Sequence, residues 1–280
     1  MLTTESAEIA ARAVWGEAAA AEPFAVLDDD AALTGLHFLR VEQIRTLLTP
    51  GMLAVGAALA DAVDKRRFLC VLGPTGVGKT FAVHAAGCRL GDAGRLVPLW
   101  FRAQPAPADL RWALHRALEL PGQAPADPGA ADTLIRHALA DGPHIVAVED
   151  AHRLSASCME YLRFLHDGVV GGLCMVLIAD RRGERRLRAQ RMLATRTAGW
   201  LRMEPLTRDQ IPVAVPALHP VWEGVDAGVL MALDARLAGG ALLRWTLLTH
   251  HTLKLMARAR VDVPEARLLK AAADRIDGGR

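Results

Sequence analysis

Short apolar runs alternate with stretches of helical spacing through the first two hundred residues, and beyond about Leu206 only the helical spacing continues. Phe68-Leu69-Cys70-Val71-Leu72 is an unbroken apolar run of strand length, and Phe81-Ala82-Val83-His84-Ala85-Ala86 continues as a helix. Further strand-type runs cover 95–101, 144–148 and 173–179, with a short fifth at Trp200-Leu201-Arg202-Met203. Between them, Leu110, Leu114 and Leu118 stand four apart and share one face of a helix over 108–119. Helices follow over 131–140, 155–168 and, rich in arginine, 183–195. This alternation predicts a parallel five-stranded sheet covered on both faces, a three-layer α/β fold.

The flanks read differently. Residues 1–30 are rich in Ala and Glu, end in Asp28-Asp29-Asp30, and suggest a helix followed by a connection. Residues 38–64 read as one or two helices interrupted at Pro50-Gly51, and the Pro/Gly/Ala-rich stretch 121–130 reads as a loop. Past Leu206, helices are expected near 208–217, 226–238, 241–258 and 264–276. The organisation is therefore an N-terminal helical extension over 1–40, an α/β core over 41–205 and a small α-helical lid over 206–280.

Composition narrows the class. Hydrophobic residues make up 52% of the 280, enough for a substantial core, yet no apolar run approaches the roughly 18 residues of a membrane span. The N-terminus lacks the basic start and apolar stretch of a signal peptide, so the expectation is a soluble cytoplasmic protein. Cys70, Cys88, Cys158 and Cys174 form no C-x-x-C pair, and Cys70 and Cys174 fall in expected core strands, as buried thiols do. Net charge is only +2, but the basic residues are four lysines (Lys65, Lys79, Lys254, Lys270) against 29 arginines. None of the lysines sits in an Asn-Lys-x-Asp guanine-reading motif, which favours ATP over GTP.

The chemistry starts at residues 73–80, Gly-Pro-Thr-Gly-Val-Gly-Lys-Thr, a complete G-x-x-x-x-G-K-[ST] phosphate loop between the first strand and its helix. In such a loop the backbone N–H groups of Gly73, Pro74, Thr75, Gly76, Val77 and Gly78 (the proline excepted) surround a phosphate, and the helix N-terminus faces it. The glycines permit backbone angles and close approach that a Cβ obstructs. Lys79 is expected to bridge the β- and γ-phosphates, and the Thr80 hydroxyl to hold Mg²⁺. Hydrolysis needs acids at the end of a strand neighbouring the loop, and Glu149-Asp150, after His144–Val148, supply them. Glu149 is expected at the metal shell and Asp150 as the base for the attacking water. The usual order is Asp then Glu. Here the base is one methylene shorter, about 1.5 Å less reach, so hydrolysis is expected to be slow.

Asp180, ending the fourth strand, stands where a polar residue can sense the γ-phosphate or bind the attacking water, although an aspartate is an acceptor only. Arg196 is the candidate finger for a neighbouring subunit's ATP, a role suited to a fixed charge with forked donors. His152 is open to two readings, a link to bound DNA or a surface residue capping the next helix. Residues 181–191 hold six arginines in eleven positions. Arg181, Arg182, Arg185 and Arg186, with Arg102 after the second strand, are candidates to face double-stranded DNA, a solvated helix face or a subunit contact being the alternative.

Glu149-Asp150-Ala151-His152-Arg153-Leu154 resembles the Asp-Glu-Ala-His/Gln-Arg-Leu segment of AAA+ ATPases of the TnsC/TniB/MuB type and their ExeA-like relatives. Residues 161–167 resemble the helix that follows in that group, Leu193-Ala194-Thr195-Arg196 its arginine-finger box, and residues 218–222 and 238–245 parts of its lid. The resemblance spans about residues 45–258. It implies a P-loop AAA+ core that binds ATP and Mg²⁺, forms a ring or filament on DNA, and recruits or activates a transposase. Two departures stand out: the acids are swapped, and the lid arginine expected at ATP aligns with Leu243, with Arg244 next door. Arg244 is taken as the nucleotide contact.

Three other classes compete. A replication initiator of AAA+ type usually carries a further winged-helix domain, and the residues after Leu206 suffice only for a lid. An ExeA-like secretion ATPase or a signalling switch is disfavoured by the lack of membrane and peptidoglycan-binding segments in this sequence. A small-molecule kinase accounts for the phosphate loop but not for the acid pair, finger and lid.

Overall fold

The computed structural model describes residues 4–16, 24–27, 39, 41–101 and 104–278. The elements run α1 (Thr4–Trp15), β1 (Val26–Leu27), β2 (Thr46–Leu47), α2 (Pro50–Asp64), β3 (Phe68–Leu72), α3 (Lys79–Leu90) and β4 (Arg95–Leu99). Next come α4 (Pro107–Ala117), α5 (Pro128–Ala140), β5 (His144–Val148), α6 (Ala156–Gly168), β6 (Cys174–Ala179), α7 (Arg181–Arg188), α8 (Arg191–Arg196) and β7 (Thr197–Arg202). Four helices close the chain: α9 (Ile211–Leu218), α10 (Ala227–Leu233), α11 (Leu242–Ala259) and α12 (Ala266–Asp277). They divide into two compact units, one from the described residues among 1–16, 54–73 and 82–202, the other from those among 17–53, 74–81 and 203–280.

The first unit is built on a five-stranded sheet in the order β4-β5-β6-β3-β7, every pair parallel. Period-two side-chain alternation sends Phe68, Cys70, Leu72, Val97, Leu99, Val146, Val148, Met175 and Leu177 to one face. There they pack with Leu110 and Leu114 of α4, Ile135 and Leu139 of α5, and Leu162 and Leu165 of α6. The intervening Leu69, Val71, Ile145, Ala147 and Val176 are equally buried, so both faces are covered, as the continuous apolar runs require. The acid-bearing strand β5 does not adjoin β3, however. β6 lies between them, which corrects the expectation of a neighbouring strand. All five carboxyl ends still share one edge, because every pair is parallel.

Several boundaries move for local reasons. α5 starts at Pro128, not 131, because the Asp127 carboxylate accepts the Ala130 N–H at 2.7 Å and proline fits the first turn. Pro50 likewise opens α2 instead of interrupting a helix, and the residues before it pair β1 with β2 antiparallel over two positions, too few for an alternation pattern. The arginine-rich helix is two helices, α7 and α8, separated at Ala189-Gln190. β4 stops at Leu99, leaving Trp100 58% exposed, and β7 begins at Thr197 rather than 200. Among the cysteines, Cys70, Cys158 and Cys174 are buried and free, and burial pushes the Cys70 and Cys174 thiols up to about 12. Of the N-terminal expectation, α1 is present; most of the connection after it, and Asp28-Asp29-Asp30, lie outside the described residues.

The second unit has its own core. α9 to α12 close around Trp222 and Trp245, whose rings meet edge-on at 5.5 Å. Buried Asp234 accepts from Trp245 Nε1 and from the Gly240 N–H, both at 2.9 Å. The chain turns there through Gly239 and Gly240, at φ 53° and 75°, and Gly240 O accepts the Leu206 N–H at 3.0 Å. A Cβ on Gly240 would run into the Leu206 backbone, so this corner requires glycine. No helix among the described residues is long and apolar enough to cross a membrane.

Candidate nucleotide-binding and hydrolysis site

The phosphate loop leaves the carboxyl end of β3 and enters α3 at Lys79. Gly73, Gly76 and Gly78 have φ of 154°, 86° and 94°, values that L-residues avoid and that turn successive amides inward. Lys79 Nζ donates to Pro74 O at 2.8 Å, which folds the ammonium back across its own loop. The chemistry fits a nucleoside phosphate with its magnesium: a backbone nest, a lysine held over it, and Thr80 in the first turn of α3.

Within the same unit the loop meets the start of α11. Leu243 N–H donates to Gly76 O at 3.0 Å, and a Cβ on Gly76 would stand 3.1 Å from Leu243 Cβ and 3.5 Å from Ala241 Cβ. The double-glycine corner held by Asp234 sets this approach. Leu243, the position aligned with the lid arginine, is thus the one against the loop. Arg244 donates to Leu237 O at 2.7 Å, within the second unit. Sequence reasoning passed over Leu243 because its contribution is a backbone N–H, to which side-chain identity is blind.

At the end of β5, Glu149 keeps to the sheet: its N–H donates to Leu99 O at 3.0 Å and its side chain is only 11% exposed. Its Oε1 lies 3.6 Å from Nε2 of His84 on α3, whose ring packs against Trp100 with centroids 5.4 Å apart. Asp150 differs in every respect. It adopts the left-handed region at φ 48°, tolerated better by aspartate than by most residues, and its carboxylate is 65% exposed, 3.8 Å from Arg153 Nη1. Consecutive acids thus have separate environments, one held and one open to water.

Asp180 caps α7: Gly183 N–H donates to its Oδ1 at 2.6 Å. His152 Nδ1 stands 4.0 Å from the same oxygen, so His152 belongs to this junction and does not cap the following helix, which Ser155 caps by accepting the Cys158 N–H at 3.2 Å. Arg196 makes a forked pair with Asp167, 2.8 Å on each arm, and the guanidinium holds that carboxyl well below the usual carboxylate range. The β3–β7 register sets Thr197 beside Phe68, so Arg196 lies at the amino edge of the sheet. Five strand residues separate that edge from Gly73, about 16 Å, against about 7 Å of arginine reach.

The arginine-rich segment is not uniform. Glu184 binds both Arg202 and Arg188, which together hold its carboxyl at about 2, and Arg188 also covers the Trp200 ring at 4.4 Å. Arg186 donates to Leu154 O at 3.1 Å. Arg181, Arg182 and Arg185 are exposed on the same helix, and the Arg182 and Arg185 side chains have no hydrogen bond or ion pair among the described residues. Arg102 lies outside the described residues.

Residues 62–187, just under half of the chain, match the model of a family described as "AAA domain". No curated protein matches the chain. Among solved structures, the Aeropyrum pernix ORC1 protein in complex with DNA is similar at a TM-score of 0.61 and 20% identity, covering 78% of this chain and 62% of that one. The Aeropyrum pernix ORC2 protein in its ADPNP–ADP complexes gives 0.62 at 14% identity, covering 76% and 63%. The Thermotoga maritima RuvB Holliday junction branch migration motor gives 0.52 at 14% identity, covering 79% and 66%. The chain therefore spans a little under two thirds of each of these proteins. Over residues 62–187 the sequence is similar to an AAA domain, and the sheet with its flanking helices matches the P-loop α/β fold of AAA+ ATPases.

Proposed function

We propose that this chain is an ATPase that binds ATP with Mg²⁺, assembles with further copies as a ring or filament on double-stranded DNA, and hydrolyses slowly. In this reading it marks the DNA for a transposase or another transposition protein, with residues 206–280 acting as the lid. The observation that carries it is the phosphate loop at the end of β3 with Glu149 and Asp150 ending β5 of the same parallel sheet. Bound ATP supplies the phosphoryl group that water attacks. Lys79 and the loop amides would hold its phosphates, Thr80 and Glu149 would hold the magnesium shell, and Asp150 would take the proton of the attacking water as ADP leaves. A short base on an exposed turn, with only the Arg153 guanidinium 3.8 Å away beside it, supports slow turnover. Asp180 keeps its second carboxylate oxygen for the water.

Assembly and DNA binding rest on arginines. Arg196 is too far from its own loop, so the phosphate it would meet is on a neighbouring subunit. Release from Asp167 would accompany that contact. Arg182 and Arg185, exposed and without acid partners, support a phosphate-neutralising face together with Arg181 and Arg186, and likeness to a DNA-bound ORC1 is in keeping with it. The test is fluorescence anisotropy of labelled duplex DNA with ATP or a slowly hydrolysed analogue. Binding that needs nucleotide, falls steeply with salt, and loses about one unit of salt slope in Arg185→Ala supports the proposal. No binding at low salt sinks it.

A second reading, a replication initiator or loader, draws on the similarity to the ORC1 and ORC2 folds. Stimulation of helicase loading rather than of strand transfer by the DNA-bound protein would select it.

A further inference from the structure

His84 is the one histidine of α3, in a stretch where Ala82, Val83, Ala85, Ala86 and Gly87 are also buried. Its side chain is 6% exposed, and Nε2 has no hydrogen-bond partner among the described residues. A ring nitrogen buried among small apolar groups loses its water and needs a replacement. The acidic oxygen in range is Glu149 Oε1, at 3.6 Å. A shift of about 0.6 Å brings the two to hydrogen-bonding distance. The surroundings restrict other movements. Trp100 packs against the imidazole, and the Glu149 backbone is tied to Leu99 O by a 3.0 Å bond.

We propose that His84 is a positioning residue for Glu149: its ring donates Nε2–H to Oε1 and leaves Oε2 to face the magnesium shell. The inference rests on the reading of Glu149 as the acid of that shell. It also gives the inverted acid order a physical complement. A glutamate has one more torsion than an aspartate and loses more rotamer freedom when held. A donor fixed in a buried helix orders the longer arm before nucleotide arrives, which is preorganisation from outside the loop.

The experiment compares His84→Ala and His84→Gln, the latter keeping an N–H donor at similar reach. Expected is a fall in kcat of about tenfold in His84→Ala, with ATP Kd within about twofold of the parent, and recovery to within about threefold in His84→Gln. Equal kcat in all three proteins, or equal losses in both variants, overturns the proposal. A second measurement needs neither nucleotide nor turnover. In ¹⁵N-histidine-labelled protein, a slowly exchanging imidazole Nε2–H signal, assigned by its loss in His84→Gln, should vanish in Glu149→Ala. If it persists unchanged, the pairing is wrong. A parent protein that shows this signal but does not hydrolyse ATP would sink the ATPase reading while leaving the His84–Glu149 pair standing.

Discussion

After β3, three glycines at φ between 86° and 154° shape a phosphate cradle from eight consecutive residues, and its lysine folds onto the loop's own Pro74 carbonyl. At the end of β5 the assembly is the reverse. Glu149 gains its surroundings from β4, through Leu99 and Trp100, and from α3, through His84, residues up to 65 positions away. One region is governed by backbone angles, the other by side chains that folding brings together. Backbone geometry tolerates few alternatives, so its sequence is nearly fixed. A side-chain constellation can be built in several ways, and the inverted Glu149-Asp150 order is one of them.

The sharpest way to break this contrast is Asp150→Asn. If the exposed acid is the base, ATP turnover falls about a thousandfold while nucleotide affinity holds; unchanged turnover in a phosphate-release assay would move the base elsewhere. Gly240→Ala asks whether backbone rules extend to the helices after Leu206. With φ at 75° and the Leu206 backbone in the way, the substitution should cost about 3 kcal/mol in urea unfolding monitored by tryptophan fluorescence. Lys79→Ala should weaken ATP about a hundredfold by calorimetry, since it removes the charged donor over the loop and leaves the amides intact. Affinity within threefold of the parent would show that the amides suffice.

The smallest effect concerns Glu184, the joint between α7 and β7. Arg202 and Arg188 lower its carboxyl from 4.5 to about 2. A carboxyl depressed in the folded state contributes stability above its unfolded value, and loses it as pH falls through the folded one. Glu184→Gln should therefore be less stable than the parent at pH 6, with the difference closing between about pH 4.5 and 2. A difference that stays constant across that range would mean the pairing has no part in it.

Much of the fold was legible because burial on both faces leaves continuous apolar runs: β3, β5 and β6 lie within a residue of the expected strands. Edges and breaks were not. The end of β4 at Leu99, the split between α7 and α8 and the two-residue pairing of β1 with β2 are decided by which backbone groups find partners in the folded chain. Pro128 after Asp127 was a readable helix start that hydrophobic spacing alone overlooks.

The sequence by itself determined the phosphate loop, the parallel α/β class, the helical character after Leu206, and the identity and order of the two acids. Those follow from local geometry: glycine angles, the period of burial, and adjacency along the chain. Tertiary structure alone decided that β6 separates β5 from β3, that the Leu243 N–H meets the loop while Arg244 donates to Leu237 O, that Arg196 sits at the far edge in the grip of Asp167, and that a buried histidine stands beside Glu149. Each depends on residues distant in sequence, and no periodicity records which distant residue the packing of a core will bring near.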